Sequence, residues 1–339
     1  MVTRDDVARK AGVSATTVSH VINKTRYVSD ELKKKVLNVV EELKYTPNLV
    51  ARSLTTKKSN QVAIIINDIT NPFYGEIALG MENAAIENGY ILMLCIGNKN
   101  LDSYIDNFIM RQVDGVYITS ITSQLKEENV KKLIDNGIPV VFGSDVTDIY
   151  NDFSESSSFL SADFSTGIEE AISYLVSLGH RNIGFLSGLP LDSKYNERFI
   201  AYKECLTKYN IDYNDSLIAK TFRELDTSVE GGYETMREIL SKKSSVTAVI
   251  ATNDLMAIGA MKAISEAGLS VPYDISIIGC DNILFSNTTN PPLTTLNVPK
   301  YDLGTEAFKL ILEKQNSDIN KVVLLPTSLV IRGTTAPVK

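Results

Sequence analysis

Apolar residues recur along this chain with two rhythms. Over the first 45 residues they return every three or four positions: Val7, Ala8 and Ala11, then Val18, Val21 and Ile22, then Leu32, Val36, Val39, Val40 and Leu43. That spacing predicts three short helices, each with one apolar face. The punctuation agrees. Thr3 can cap the first helix with Asp6 three residues on as a short capping box, and Gly12 can end it. Ser14 can cap the second and Asn23 close it, Ser29 can cap the third, and Pro47 stops further helix. Two helices across a tight glycine-containing turn, followed by a supporting helix, form a helix-turn-helix pattern. Asn48 can cap one more helix, Leu49 to Leu54, too short to stand alone in water, and the polar stretch Thr55 to Asn60 reads as a linker.

From Gln61 the rhythm changes. Apolar runs VAIII (62–66), YILMLCI (90–96), GVYIT (115–119) and PVVF (139–142) read as strands, separated by helical segments near 73–88, 102–111 and 127–136. A second series, NIGFLS (182–187), AVIA (248–251) and ISIIG (275–279), alternates with helices near 165–178, 196–209, 228–240 and 255–267. This alternation predicts an α/β core of two lobes, each on a buried parallel sheet with its ligand site at the carboxyl ends of the strands.

Charge divides the chain at the same place. The net charge of −7 is the sum of +6 over residues 1–58 and −13 over the rest. A basic head on an acidic body predicts that the head alone meets a polyanion. With 339 residues, 44 % apolar and 22 % charged, the chain is long and apolar enough for two or three folded domains. It opens on charged residues, Arg4, Asp5 and Asp6, and its longest clearly apolar run, Tyr90 to Ile96, falls far short of the ~20 residues that span a bilayer, which predicts a cytoplasmic protein with no membrane partner. Cys95, Cys205 and Cys280 are too far apart for a metal or disulfide framework and read as reduced packing residues. The chain has no P-loop, no G-x-G-x-x-G after the first strand, no H-E-x-x-H and no G-x-S-x-G, and only two histidines. Neither an enzyme nor a cofactor is expected.

In a helix-turn-helix the first turns of the second helix enter the major groove. The outward candidates are Ala15, Thr16, Thr17, Ser19 and His20. Thr16 and His20, four apart, share a face from which they can bond base edges, and Ala15 offers a methyl to thymine. Thr17 and Ser19 can bind phosphate, and Arg26, just beyond, can reach a guanine edge or a phosphate.

At this point the head, VTRDDVARKAGVSATTVSHVINKTRYVSDELKKKVLNVVEELKYTPNLVARSL, resembles that of the lactose/galactose repressor family of bacterial transcription regulators, TTVSHVINKTR being most similar to its purine-repressor branch. NPFY (71–74), VDGVYI (113–118), LGHRNIGFLSG (179–188), TNDLMAIGAM (252–261) and VPYDISIIGCDN (271–282) follow in the family's order, so the resemblance covers nearly the whole chain. It implies a DNA-binding domain over 1–46, a hinge helix and linker over 47–60, and a periplasmic-binding-protein-like effector and dimerisation core over 61–339. The lobes are expected at about 61–160 plus 291–320 and about 161–290 plus 321–339. The implied function is that of a repressor binding a pseudo-palindromic operator as a homodimer and switched by a small metabolite of the sugar class.

The resemblance also assigns residues. Leu54 becomes the apolar wedge that kinks the operator through its minor groove, and Thr55 stands where the purine branch has a lysine. The implied effector contacts are Arg198, its acidic partner Asp281, Asn253, and the aromatic pair Phe73 and Tyr74. Thr227 replaces a stacking aromatic, which disfavours a purine. Ser144, followed by Asp145, replaces an acidic residue, and Lys194 brings a cation that would suit an acidic sugar or a sugar phosphate. One branch of the family binds a phosphorylated carrier protein through the helix here spanning 301–315, but Glu306 and Lys309 depart from that branch. A transport-type sugar-binding protein fits the body and not the basic head.

Overall fold

The computed structural model describes residues 2–23, 26–46, 58–97, 100–119, 125–143, 153–192, 196–223, 226–242, 244–317 and 319–338. The chain forms two compact units, residues 1–59 and 60–339.

The first unit holds three helices, α1 (Arg4–Ala11), α2 (Ala15–Asn23) and α3 (Asp30–Glu42). Thr3 and Asp6 close the capping box reciprocally, and those Thr3 hydrogen bonds hold the Asp6 carboxyl below the usual carboxylate range. Gly12 turns the chain in the left-handed region, φ 64°, and its amide bonds back to Ala8 and Arg9. The Ser14 hydroxyl accepts the Thr17 amide at 3.1 Å, as a cap should. Val7, Ala8, Ala11, Val18, Val21, Val36 and Val39 make the small core. Two expectations for α3 are corrected. Ser29 occupies the cap position but its side chain makes no cap bond, and Leu32 is 39 % exposed because it lies on the outer first turn, away from the core built by Val36 and Val39. The expected hinge helix, 49–54, lies outside the described residues.

The second unit is a pair of α/β lobes. In chain order its elements are β1 (Gln61–Ile66), α4 (Pro72–Glu87), β2 (Ile91–Ile96), α5 (Leu101–Arg111), β3 (Val116–Ile118), α6 (Glu127–Asp135), β4 (Val140–Phe142), β5 (Ser158–Ala162), α7 (Phe164–Ser177), β6 (Ile183–Ser187), α8 (Glu197–Lys208), β7 (Ile218–Lys220), α9 (Val229–Ser241), β8 (Ala248–Ala251), α10 (Asp254–Glu266), β9 (Ser276–Asp281), β10 (Thr294–Asn297), α11 (Lys300–Asn316), β11 (Val322–Leu325) and β12 (Ser328–Val330). The first sheet runs β11-β5-β4-β3-β1-β2, all parallel. The second runs β12-β10-β9-β8-β6-β7, parallel except for β12.

This topology corrects the expected lobe boundaries. β10, expected in the first lobe, pairs with β9 in the second sheet, and β11, expected in the second, pairs with β5 in the first. The chain therefore crosses between lobes three times: after β5, between β10 and α11, and between β11 and β12. Strand pairing, which no local pattern states, decides the assignment. The apolar run 90–96 takes the outermost place in the first sheet. β2 is a sheet edge, which leaves Ile91 60 % exposed and Leu94 partly so.

Glycines bring one helix pair together in each lobe. A Cβ on Gly80 of α4 would stand 2.0 Å from the Tyr301 carbonyl oxygen, and one on Gly304 of α11 would stand 1.9 Å from that of Ile77. Gly232 of α9 and Gly259 of α10 repeat the arrangement in the second lobe, at 2.1 Å and 1.9 Å. These contacts let backbone pack on backbone and fix both helix pairs on their sheets. No helix among the described residues is long and apolar enough to cross a membrane.

Candidate functional site

In the head, α2 presents Thr16 exposed and His20, four residues on, half-buried. Thr17 and Ser19 are less free than the sequence suggests. The Thr17 hydroxyl lies 2.9 Å from that of Ser14, and the Ser19 hydroxyl accepts from the Asn23 amide at 3.2 Å. Ala15 is half-buried and packs against the head's core. Arg26 is exposed just past the helix. Leu54 and Thr55 lie outside the described residues.

In the body, the described candidates stand at or just beyond the carboxyl ends of parallel strands, the side of such a sheet on which ligand sites form. Asn71 caps α4 with its side chain accepting the Phe73 amide at 3.0 Å, which sets Phe73 and Tyr74 on the first turn. Their rings meet edge to face, centroids 5.2 Å apart, and both are buried. Asn196 caps α8 and also bonds the Ser187 hydroxyl at the end of β6, so Arg198 is delivered from a fixed first turn. Arg198 is only 7 % exposed, its guanidinium 3.5 Å above the centre of the Phe164 ring and its charge acting on the Cys280 thiol. Burial pushes that thiol up to about 12, so it stays protonated. Asp281 ends β9, buried, with φ 119°, a region that side chains rarely enter.

Asn253 is where the sequence placed it, but both ends of its amide are engaged. Its oxygen caps α10 through the Met256 amide at 2.9 Å, and its nitrogen donates to the Thr227 carbonyl at 3.0 Å. It therefore fixes the Thr227 segment against α10. Ser144 and Lys194 lie outside the described residues.

Behind Asp281 sits a carboxylate the sequence did not mark. Asp254 accepts from the Ser286 hydroxyl, the Thr295 hydroxyl and the Ile283 amide, the last at 2.9 Å. Burial raises its carboxyl to about 6 despite these donors. Phe164 was also missed. Its one sequence signal is an aromatic directly after the Asp163 cap, at the point where the chain leaves the first lobe. No group of three or more His, Cys, Asp or Glu residues that could hold a metal occurs among the described residues.

The architecture and the matches to known proteins agree. Residues 3–48 match the model for bacterial regulatory proteins of the lacI family, and residues 172–335 match that for a periplasmic binding protein-like domain. The chain is 36 % identical over 343 residues to the HTH-type transcriptional repressor PurR of Pasteurella multocida (strain Pm70), covering 98 % of each. Among solved structures it is similar to the Lac repressor dimer bound to operator and the anti-inducer ONPF, with TM-score 0.82, 27 % identity and 99 % of each chain covered. It is also similar to a CelR–cellobiose complex, with TM-score 0.73 and 27 % identity over 98 % of this chain and 100 % of that one. The chain belongs to the lacI family of bacterial regulatory proteins, and it is a DNA-binding transcriptional repressor and not an enzyme.

Proposed function

We propose that this repressor acts in the cytoplasm as a homodimer on a pseudo-palindromic operator and that a sugar-class metabolite, held between the lobes, switches it. The observation that carries the effector reading is the buried Arg198, stacked on Phe164, with buried Asp281 at the carboxyl end of β9. A guanidinium and a carboxylate offer donors and acceptors for ring hydroxyls, and the neighbouring aromatic faces suit the apolar side of a sugar. The cellobiose of one structural neighbour supports the class. Thr227, with no ring to stack on a base, supports a sugar over a purine.

The dimer reading rests on apolar side chains left at the surface. The first lobe exposes Leu79, Ile86 and Ile91, and the second exposes Phe222 almost completely, with Leu284 and Phe285. Groups of this kind mark partner surfaces. In the head, Thr16 and His20 read base edges while Arg26 and the hydroxyls of Thr17 and Ser19 hold the backbone, the operator resembling the purine-type palindrome with a central CpG. A phosphoprotein partner on α11 is disfavoured, because Lys309 already donates to both Glu306 carboxylate oxygens at 3.2 Å.

Thermal unfolding against a panel of sugars, acidic sugars, sugar phosphates, nucleosides and purines tests the effector class. A ligand at 100 times its dissociation constant adds ~2.7 kcal/mol to the stability of the state that binds it. The reading predicts that the shift comes from a sugar and falls to about half or less in Arg198→Met. A shift from purines alone, or one of the same size in Arg198→Met, overturns it.

A further inference from the structure

Lys300 breaks two local rules. It is a lysine with a side chain only 3 % exposed, and it is the first residue of α11, where the helix dipole disfavours a cation. Such violations are tolerated where function requires them. Its ammonium donates to three carbonyls, those of Asp281 at 2.6 Å, Asn282 at 3.1 Å and Val298 at 3.3 Å. The first two belong to consecutive non-glycine residues with positive φ, 119° and 54°. Two adjacent residues hold this conformation only when their surroundings enforce it. The other side of the same turn is held by Asp254, which accepts the Ile283 amide. The turn that ends β9 is thus pinned between a buried cation on its carbonyls and a buried carboxyl on its following amide.

The same ammonium reaches the other lobe. Its three N–H groups are taken by carbonyls, and Glu76, on the first turns of α4 beside Phe73 and Tyr74, stands 3.6 Å away as the opposite charge. Lys300 itself lies at the crossing from β10 to α11. We infer that Lys300 is a positioning residue that sets the Asp281 turn and ties it to the first lobe through Glu76, so that the orientation of Asp281 and the angle between the lobes change together. The consequence for regulation rests on the cleft being the effector site. Closure around a ligand that engages Asp281 would then be transmitted to α4 and α11 without Lys300 touching the ligand.

The test uses the full chain and needs no effector, so a failed ligand panel and a failed inference are separate results. Lys300→Met, Lys300→Arg and Glu76→Gln are compared with the wild type by two readouts. One is hydrogen exchange of the Asn282 and Ile283 amides, which bond Thr295 and Asp254. The other is the interlobe distance between spin labels at Lys131→Cys and Glu204→Cys, both exposed and in different lobes, diluted into unlabelled chain. Losing a charge-assisted hydrogen bond predicts about tenfold or faster exchange at the turn in Lys300→Met. Its interlobe distribution broadens, and Lys300→Arg restores part of both. Glu76→Gln broadens the distribution and leaves the turn amides protected, a split that a merely structural lysine would not produce. Wild-type distances in Glu76→Gln overturn the inference, even if Lys300→Met fails to fold. So does a Lys300→Met protein whose turn amides exchange at the wild-type rate.

Discussion

Gly80→Ala and Gly75→Ala, two identical substitutions five residues apart on α4, should move stability in opposite directions. Helix propensity favours both, by roughly 1 kcal/mol each at an unobstructed interior site. At Gly75 a Cβ meets nothing within 4 Å, so the gain is kept. At Gly80 the Cβ would stand 2.0 Å from the Tyr301 carbonyl oxygen and 2.9 Å from its carbon. Real Cβ contacts rarely fall below ~3 Å, so α4 and α11 must part by about 1 Å, and the obstacle is backbone that no rotamer change can clear. Overpacking typically costs ~1–3 kcal/mol, and a rigid obstacle puts the cost at the upper end. The net prediction is a loss of about 1–2 kcal/mol for Gly80→Ala against a gain of up to ~1 kcal/mol for Gly75→Ala. The chain has no tryptophan, so urea unfolding followed by far-ultraviolet circular dichroism is the assay. Because α4 carries Phe73, Tyr74 and Glu76 while α11 begins at Lys300, the Gly80 variant should also bind its effector more weakly. A Gly80→Ala protein as stable as wild type would refute the backbone-contact argument. So would equal losses in both variants.

Replacing His20 or Thr16 by Ala should cost about 1–3 kcal/mol on the selected operator and little on a scrambled duplex, whereas Arg26→Ala should weaken both if it grips phosphate; anisotropy titrations on the two DNAs separate these cases. Arg198→Met should weaken effector binding by roughly tenfold or more by calorimetry, consistent with ~1.5–3 kcal/mol for a charged hydrogen bond, with operator affinity in the absence of effector unchanged. His180 donates from Nε2 to the Ala336 carbonyl at 2.9 Å and pairs Nδ1 with the Thr247 hydroxyl at 3.0 Å, and burial lowers its pKa. The unfolded chain therefore takes up this proton first, so the stability contributed by neutral His180 is complete above about pH 6.5 and declines as pH falls below it. Asp254, raised by burial, works in the opposite direction, favouring the folded state as pH drops below about 6. Comparing the pH–stability curves of wild type and His180→Gln isolates the histidine; a wild-type curve no steeper below pH 6.5 than the variant's would contradict the assignment.

Local rules read the head well because its signals are local. Thr3, Asp6 and Gly12 determine their own geometry, and the spacing of Val36 and Val39 names the buried face. The body's helices also follow from periodicity, since each covers a sheet. The sheet order is different in kind. β10, with the sequence TTLN, and β11, with VVLL, carry no mark of their lobe, and only their pairing with β9 and β5 assigns them. The run 90–96 is apolar enough to look central, yet it is an edge strand whose Ile91 faces outward.

The site shows the same division. The motifs around Arg198 and Asp281 single them out as candidates, and no motif singles out Phe164 or Lys300. A lysine opening a helix looks like a surface residue until the carbonyls of a distant turn, Asp281 and Asn282, and that of nearby Val298 converge on it. Asn253 shows the converse: the residue is where the motif places it, but its amide is engaged by the α10 cap and the Thr227 carbonyl.

The central claim is that ligand in the interlobe cleft and operator at the head are coupled through one chain. Coupling free energies are reciprocal, so four affinities test it: effector with and without saturating operator, and operator with and without saturating effector. The account predicts that the two ratios are equal and differ from one by roughly fivefold or more. Effector affinity that is the same on free and operator-bound protein would contradict it.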